Sequence, residues 1–222
     1  MTPCIVRSKQ THNTRNTHPM QTVPQSASCL AHTPKPLQLI ERAGRVCYKS
    51  ESKITATSAD KFIRMILARG HESVLEHASA TFHIITDRGI SHEIVRHRLA
   101  SYSQESTRYC SYKSSDLVFI DPGFKRRDNA TLWERACMEA EDAYKRILQY
   151  STPQWARSVL PNSLKTEIVM TANFREWRHF LRMRAAQDAH PQIQAIAGMI
   201  LSWFTETYPV IVEDLGLKQE VK

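Results

Sequence analysis

Apolar residues recur along this chain in two periods, and the switches between them mark out its elements. Leu37, Ile40, Ala43 and Cys47 share a helical face behind Pro34 and Pro36, with Pro36 suited to a first turn. Phe62, Ile63, Ile66 and Leu67 form a second stripe, capped by Thr57 or Ser58 and closed by Gly70. Ala78, Ala80, Phe82 and Ile84 then alternate with Ser79, Thr81 and His83, the period of a half-buried strand that Gly89 breaks. Residues Ile90 to Leu99 read as a short helix running into a polar loop, Ser101 to Ser106. Leu117 to Ile120 predicts a strand stopped by Asp121-Pro122-Gly123, and Asn129 to Tyr150 a long amphipathic helix. Leu164 to Thr171 predicts another strand, followed by helices over Asn173 to Ala189 and Ile193 to Tyr208.

The sum is an α+β fold: a single domain with a central, largely antiparallel sheet flanked by long helices. Residues 1–24 carry Thr, Asn, Gln, Ser and basic side chains without apolar periodicity, which predicts a mobile N-terminal extension before a domain spanning 25–222. No GxGxxG loop occurs among only six glycines, so the domain is not of the Rossmann type.

Composition narrows the partners. The 30 Lys and Arg against 22 Asp and Glu leave a net charge of +8, which favours anions without choosing among nucleotides, nucleic acid and acidic surfaces. No apolar run approaches the roughly 20 residues of a membrane span. The first residues lack the order of a signal peptide, so a cytoplasmic protein that binds no membrane is expected. The five cysteines include no CxxC pair, which argues against a disulfide framework or a zinc knuckle. His92 and His97 suggest a zinc helix, but at five positions apart they diverge by about 140°, and no metal is expected.

The densest chemistry lies in RHRLASYSQESTR, residues 96–108, with three arginines, one histidine and three serines. Arginine forks match phosphate or carboxylate oxygens two at a time, and hydroxyls and loop amides fill the remaining positions. By itself the segment is an anion site in outline or a solvated basic face.

The spacing Arg96-His97-Arg98, seven residues, Ser106, one residue, Arg108 resembles the signature of the flavin-dependent thymidylate synthases. The likeness continues from His71-Glu72-Ser73 through WARSVLPNSLKTEIVMTANFREWRHFLRMR, residues 155–184. It implies reductive methylation of dUMP to dTMP in de novo thymidylate synthesis. FAD would be the carrier, and NADPH and 5,10-methylenetetrahydrofolate the co-substrates. Position by position, it implies flavin contacts for His71, Ser73, Arg96, His97, Arg98, Gln104, Asn173, Arg175 and His179. It assigns dUMP to Glu93, Arg96, Gln104, Glu105, Ser106, Thr107, Arg108, Arg157 and Arg184.

Arg184 is the expected catalytic group, its guanidinium stabilising charge on the uracil ring as C5 becomes nucleophilic. His179 stands where some relatives have Asn. Ser106 and Cys110 are discounted as nucleophiles, because neither has an evident activating base. The family is a homotetramer with sites between subunits. The spacing agrees with that: Arg175 and His179 share a helical face, while Arg184 lies roughly 180° from Arg175 on a straight helix.

The competing reading is a nucleic-acid-binding module with Arg96, Arg98, Arg108, Arg175, Arg178, Arg182 and Arg184 on phosphates. It requires exposed aromatics for stacking, whereas Trp177 and Phe180 fit a core-facing stripe.

Overall fold

The computed structural model describes residues 19–217. Along them run β1 (Gln21–Thr22), β2 (Ser26–His32), α1 (Pro36–Cys47), α2 (Ser58–Ala68), β3 (Ser79–Asp87), α3 (Arg88–Ile94), β4 (Ala100–Gln104) and β5 (Val118–Phe119). Then come α4 (Arg127–Ile147), α5 (Pro153–Ala156), β6 (Lys165–Asn173), α6 (Phe174–Arg184) and α7 (Pro191–Thr207). The principal sheet is antiparallel, in the order β2-β3-β6-β4. β3 and β6 pair along nine residues, from Ser79 against Asn173 to Asp87 against Lys165. β1 and β5 form a small parallel pair beside it.

Alternation decides the faces. Ala80, Phe82, Ile84 and Thr86 of β3 and Thr166, Ile168, Met170 and Ala172 of β6 are buried, while their neighbours face outward half-exposed. Onto the buried face pack α6 and α7, with Trp177, Phe174, Phe180 and Phe204 inaccessible to solvent. The Phe82 ring stands 4.9 Å from Trp177, edge to face, and the Trp177 indole donates to the Ala80 carbonyl at 3.0 Å. Each such side chain contributes about 1.5–3 kcal/mol through burial. At the crossing of α1 and α2, a Cβ on Gly44 would meet the Phe62 ring at 2.4 Å, so the approach requires glycine.

A charged group is buried with this core. Arg178 of α6 is 1% exposed, and its guanidinium donates to both oxygens of Asp214 at 2.6 and 2.7 Å, to the Ile211 carbonyl and to Glu72 at 3.1 Å. Burial opposes its charge, but Asp214 and Glu72 outweigh that and raise its pKa. The residue thus ties the turn before β3 to the end of the described chain.

Three expectations need correction. The helix read as Ile90 to Leu99 is α3 and ends at Ile94; it starts earlier because Asp87 accepts the Ile90 amide at 2.7 Å as its N-cap, leaving Gly89 inside the helix. The polar stretch after it is the edge strand β4, and only Glu105 and Ser106 remain loop. The helix from Asn173 stops at Arg184, with Asn173 its cap. Of the extension expected over 1–24, residues 1–18 lie outside the described residues, and Gln21–Thr22 pair with β5. No helix among the described residues is long and apolar enough to cross a membrane.

Candidate active site

The signature arginines sit where α3 gives way to β4. The break is built by Tyr102, whose hydroxyl donates to the carbonyls of Ile94 at 3.0 Å and His97 at 2.5 Å, closing the end of the helix against the strand. That turn leaves Arg96 and Arg98 exposed and presses His97 inward, 6% exposed.

His97 is held on both ring nitrogens. Nε2 accepts the Nε–H of Arg184 at 3.1 Å, and Nδ1 lies 3.2 Å from Glu176, itself 5% exposed. An arginine has donors only, so the contacted nitrogen is an acceptor and the proton resides on Nδ1. Burial first, then the charges of Arg184 and His179, lower the His97 pKa to about 4. The ring is therefore neutral at ordinary pH. Arg184 also donates to the Glu93 carboxylate at 2.8 Å and to its carbonyl at 3.3 Å.

This neutrality is testable. A histidine pKa depressed from 6.5 to about 4 means the unfolded chain binds more protons between those values. Its stabilising contribution is full above pH 6.5, declines as pH falls toward 4, and is constant below. We expect urea titrations to show wild type losing on the order of 2 kcal/mol relative to His97→Gln between pH 7 and 4. A difference that stays constant with pH would show that His97 titrates normally.

His179 lies beside this network, its ring 5.5 Å from that of His97. Arg175 instead reaches Glu76 at 2.5 Å. The straight-helix geometry therefore separates Arg175 from Arg184 but not His179 from Arg184: the arginine is the last residue of α6, and its long side chain folds back to His97. His71 is exposed, 3.4 Å from the Tyr48 hydroxyl, and Ser73 is exposed in the same turn. Glu72 between them binds both Arg178 and Arg182, which fastens the turn along α6. Asn173 spends its side-chain oxygen on the Glu176 amide at 2.9 Å.

The second half of the signature forms a separate group. Thr107 and Arg157 line a cleft of about 270 Å³ together with Arg88, His92 and Asn162. Adjacent residues of α3 thus face different ways, His92 to this cleft and Glu93 to Arg184. Ser106 accepts the Arg108 amide at 3.3 Å, and the exposed Arg108 guanidinium lies 5.3 Å from the Tyr109 ring. Gln104 donates into the fold, to Ser91 at 2.9 Å and Thr166 at 3.2 Å. Glu105 accepts from Tyr112 at 2.6 Å and from Lys165 at 3.4 Å.

Glu176 was invisible to sequence reasoning, since an acid in a first helical turn looks like an ordinary helix starter. The signal for it is its place one turn before Phe180 on the buried face, where an acid has no business without a partner. The donor atoms of His97, Glu176 and His179 lie within 4.8 Å of one another, a metal-ligand set by type. The Arg184 guanidinium on His97 opposes a cation there. His77 is exposed, while His83 is half-buried against Glu167 at 2.9 Å. For the nucleic-acid reading, the aromatics that would stack on bases, Trp177 and Phe180, are fully buried. Arg175, Arg178 and Arg182 all bind acids of this chain.

Residues 28–210 match the family described as thymidylate synthase complementing protein. A protein of Geobacter sulfurreducens named flavin-dependent thymidylate synthase is 38% identical over 200 residues, covering 84% of this chain and 85% of that protein. One of the same name from Mycobacterium tuberculosis is 40% identical over 200 residues, 79% and 78% of the two chains. Among solved structures, a UMP/dUMP methylase, PolB of Streptomyces cacaoi with 5-Br dUMP, superimposes with TM-score 0.76 at 24% identity, covering 91% of this chain and 99% of that one. Thymidylate synthase X of Helicobacter pylori with FAD and dUMP gives 0.74 at 23% identity, covering 86% and 98%. At those identities the two structures speak for the fold.

Proposed function

Since the chain belongs to the flavin-dependent thymidylate synthases, we propose that it methylates dUMP to dTMP with carbon from 5,10-methylenetetrahydrofolate and reducing equivalents from NADPH. The observation that carries this reading is the Arg184 guanidinium held between Glu93 and the signature histidine. Three of its five N–H groups are committed to Glu93 and His97, which leaves two for a nucleotide. A fixed cation at the uracil edge stabilises negative charge as C5 turns nucleophilic, and it needs no reorganisation at that moment.

The residues present suit FAD. Arg96, Arg98 and Arg175 are exposed cations, and Arg175 reaches Glu76 in the turn that carries His71 and Ser73, a donor set matched to a diphosphate and a flavin rim. With Asn173 and His179 they would hold the cofactor, which when bound supplies the hydride. Ser106, Thr107, Arg108 and Arg157 would bind the nucleotide together with Glu93, Arg96, Gln104, Glu105 and Arg184. Because neighbouring residues of α3 turn separately to Arg184 and to the Arg157 cleft, one nucleotide is best served by residues of more than one subunit. This favours the homotetramer with shared sites. The outward row of the sheet, Thr81, His83, Glu167, Val169 and Thr171, is half-exposed and available to such contacts. A cytoplasmic location follows from the nucleotide and reduced cofactors it would use.

Purified protein is expected to carry or take up FAD and to show a flavin absorption band that NADPH bleaches, faster with dUMP present. A colourless protein that ignores FAD and binds DNA with a steep salt dependence would sink this reading.

A further inference from the structure

We propose that Glu176 is a positioning residue for this reaction: its carboxylate accepts the Nδ1–H of His97, which leaves Nε2 as the acceptor that holds Arg184. The inference rests on the reading that Arg184 serves the uracil. The chain runs Glu176, His97, Arg184, Glu93 over contacts of 3.2, 3.1 and 2.8 Å, and it joins the first turn of α6 to its last residue through the signature histidine.

The logic is one of tautomers. A neutral imidazole has one donor and one acceptor, and which nitrogen is which depends on the partner of the other. Without an acceptor at Nδ1, the proton would be free to move to Nε2, where it would point at the Arg184 Nε–H. Two donors cannot share that contact, so the guanidinium would lose the bond that fixes its plane. Arg184 would then hang on Glu93 alone and rotate about it.

The environment of Glu176 agrees with such a role. It lies in the first turn of α6, and its own amide is taken by Asn173, so the carboxylate sits near the positive end of the helix. Burial pushes its carboxyl above the ordinary value and the charge of His179 works against that rise. A buried acid at 5% exposure costs stability unless it has work with a donor, and His97 is that donor. The groups facing His97 are Glu176, His179 and Arg184 from α6, Glu93 of α3 through Arg184, and Tyr102 of β4, with Arg96 and Arg98 on its own segment.

The test uses the full-length, FAD-loaded enzyme. Nitrogen-15 histidine spectra are expected to show His97 as the Nδ1–H tautomer; an Nε2–H ring would overturn the proposal without any variant. Glu176→Leu is expected to retain FAD stoichiometry and lose about tenfold in kcat/KM for dUMP, the scale of losing a carboxylate behind an orienting histidine. Glu176→Gln, whose carbonyl oxygen accepts the same N–H, should recover most of it. Glu176→Leu combined with Arg184→Ala should be no worse than Arg184→Ala alone, since both act through one guanidinium. Full additivity, or a Gln variant as impaired as Leu, would overturn the proposal. If Arg184→Ala itself turns over normally, the assignment of Arg184 fails, and the His97 tautomer still decides the hydrogen-bond chain on its own.

Discussion

Arg184→Ala is expected to keep the flavin while cutting dTMP formation by about a hundredfold to a thousandfold, the cost of removing one preorganised charge from a developing anion. Single-turnover oxidation of the reduced flavin at saturating dUMP measures the chemical step, and a dUMP titration measures affinity. Both should suffer. Arg184→Lys should rescue little, because an ammonium cannot donate to His97 Nε2, the Glu93 carboxylate and the Glu93 carbonyl from one rigid plane. Turnover unchanged in the alanine variant would remove Arg184 from the mechanism.

Arg178→Ala is expected to destabilise the fold by about 3–5 kcal/mol, the usual cost of breaking a buried ion cluster at one partner. Its removal leaves the Ile211 carbonyl and part of Glu72 without their donor where water reaches poorly, while Asp214, 42% exposed, turns to solvent. Arg175, whose side chain is 51% exposed on Glu76, is the control: its alanine variant should cost no more than about 1 kcal/mol. Urea unfolding followed by tryptophan fluorescence separates the two. Equal losses at both positions would mean the Arg178 cluster is no stronger than a surface pair.

Much of this architecture is legible in the residues. Ala80, Phe82 and Ile84 alternate because one face of β3 meets Trp177 and Phe204, and the stripes of α1, α2 and α7 are regular because each helix has one buried side. β4 escapes notice for the same physical reason in reverse. It is an edge strand whose outward residues, Ser101 and Ser103, are exposed, and whose inward ones include Gln104, bonded to Ser91 and Thr166 instead of packed in oil. Val95 and Leu99 lengthen the apparent helix before it, yet Leu99 is 74% exposed and belongs to no core. In the site, the signature marks Arg96 to Arg108, and motif spacing singles out Arg184. That Arg184 touches Glu93 and His97 depends on how α6 lies across α3, and no local pattern encodes it. The pairing of Glu176 with His97 is hidden for the same reason.

The strand order has a consequence for how the protein comes into being. β3 pairs with β6, some 80–90 positions downstream, and β4 has β6 as its partner in the sheet. At about 5–20 residues per second, a ribosome delivers β6 several seconds after β3. During that interval Arg96-His97-Arg98 has no strand to stand beside and no α6 to meet. A nascent chain halted before residue 165 would hold the whole signature without the strand or the helix that set its geometry.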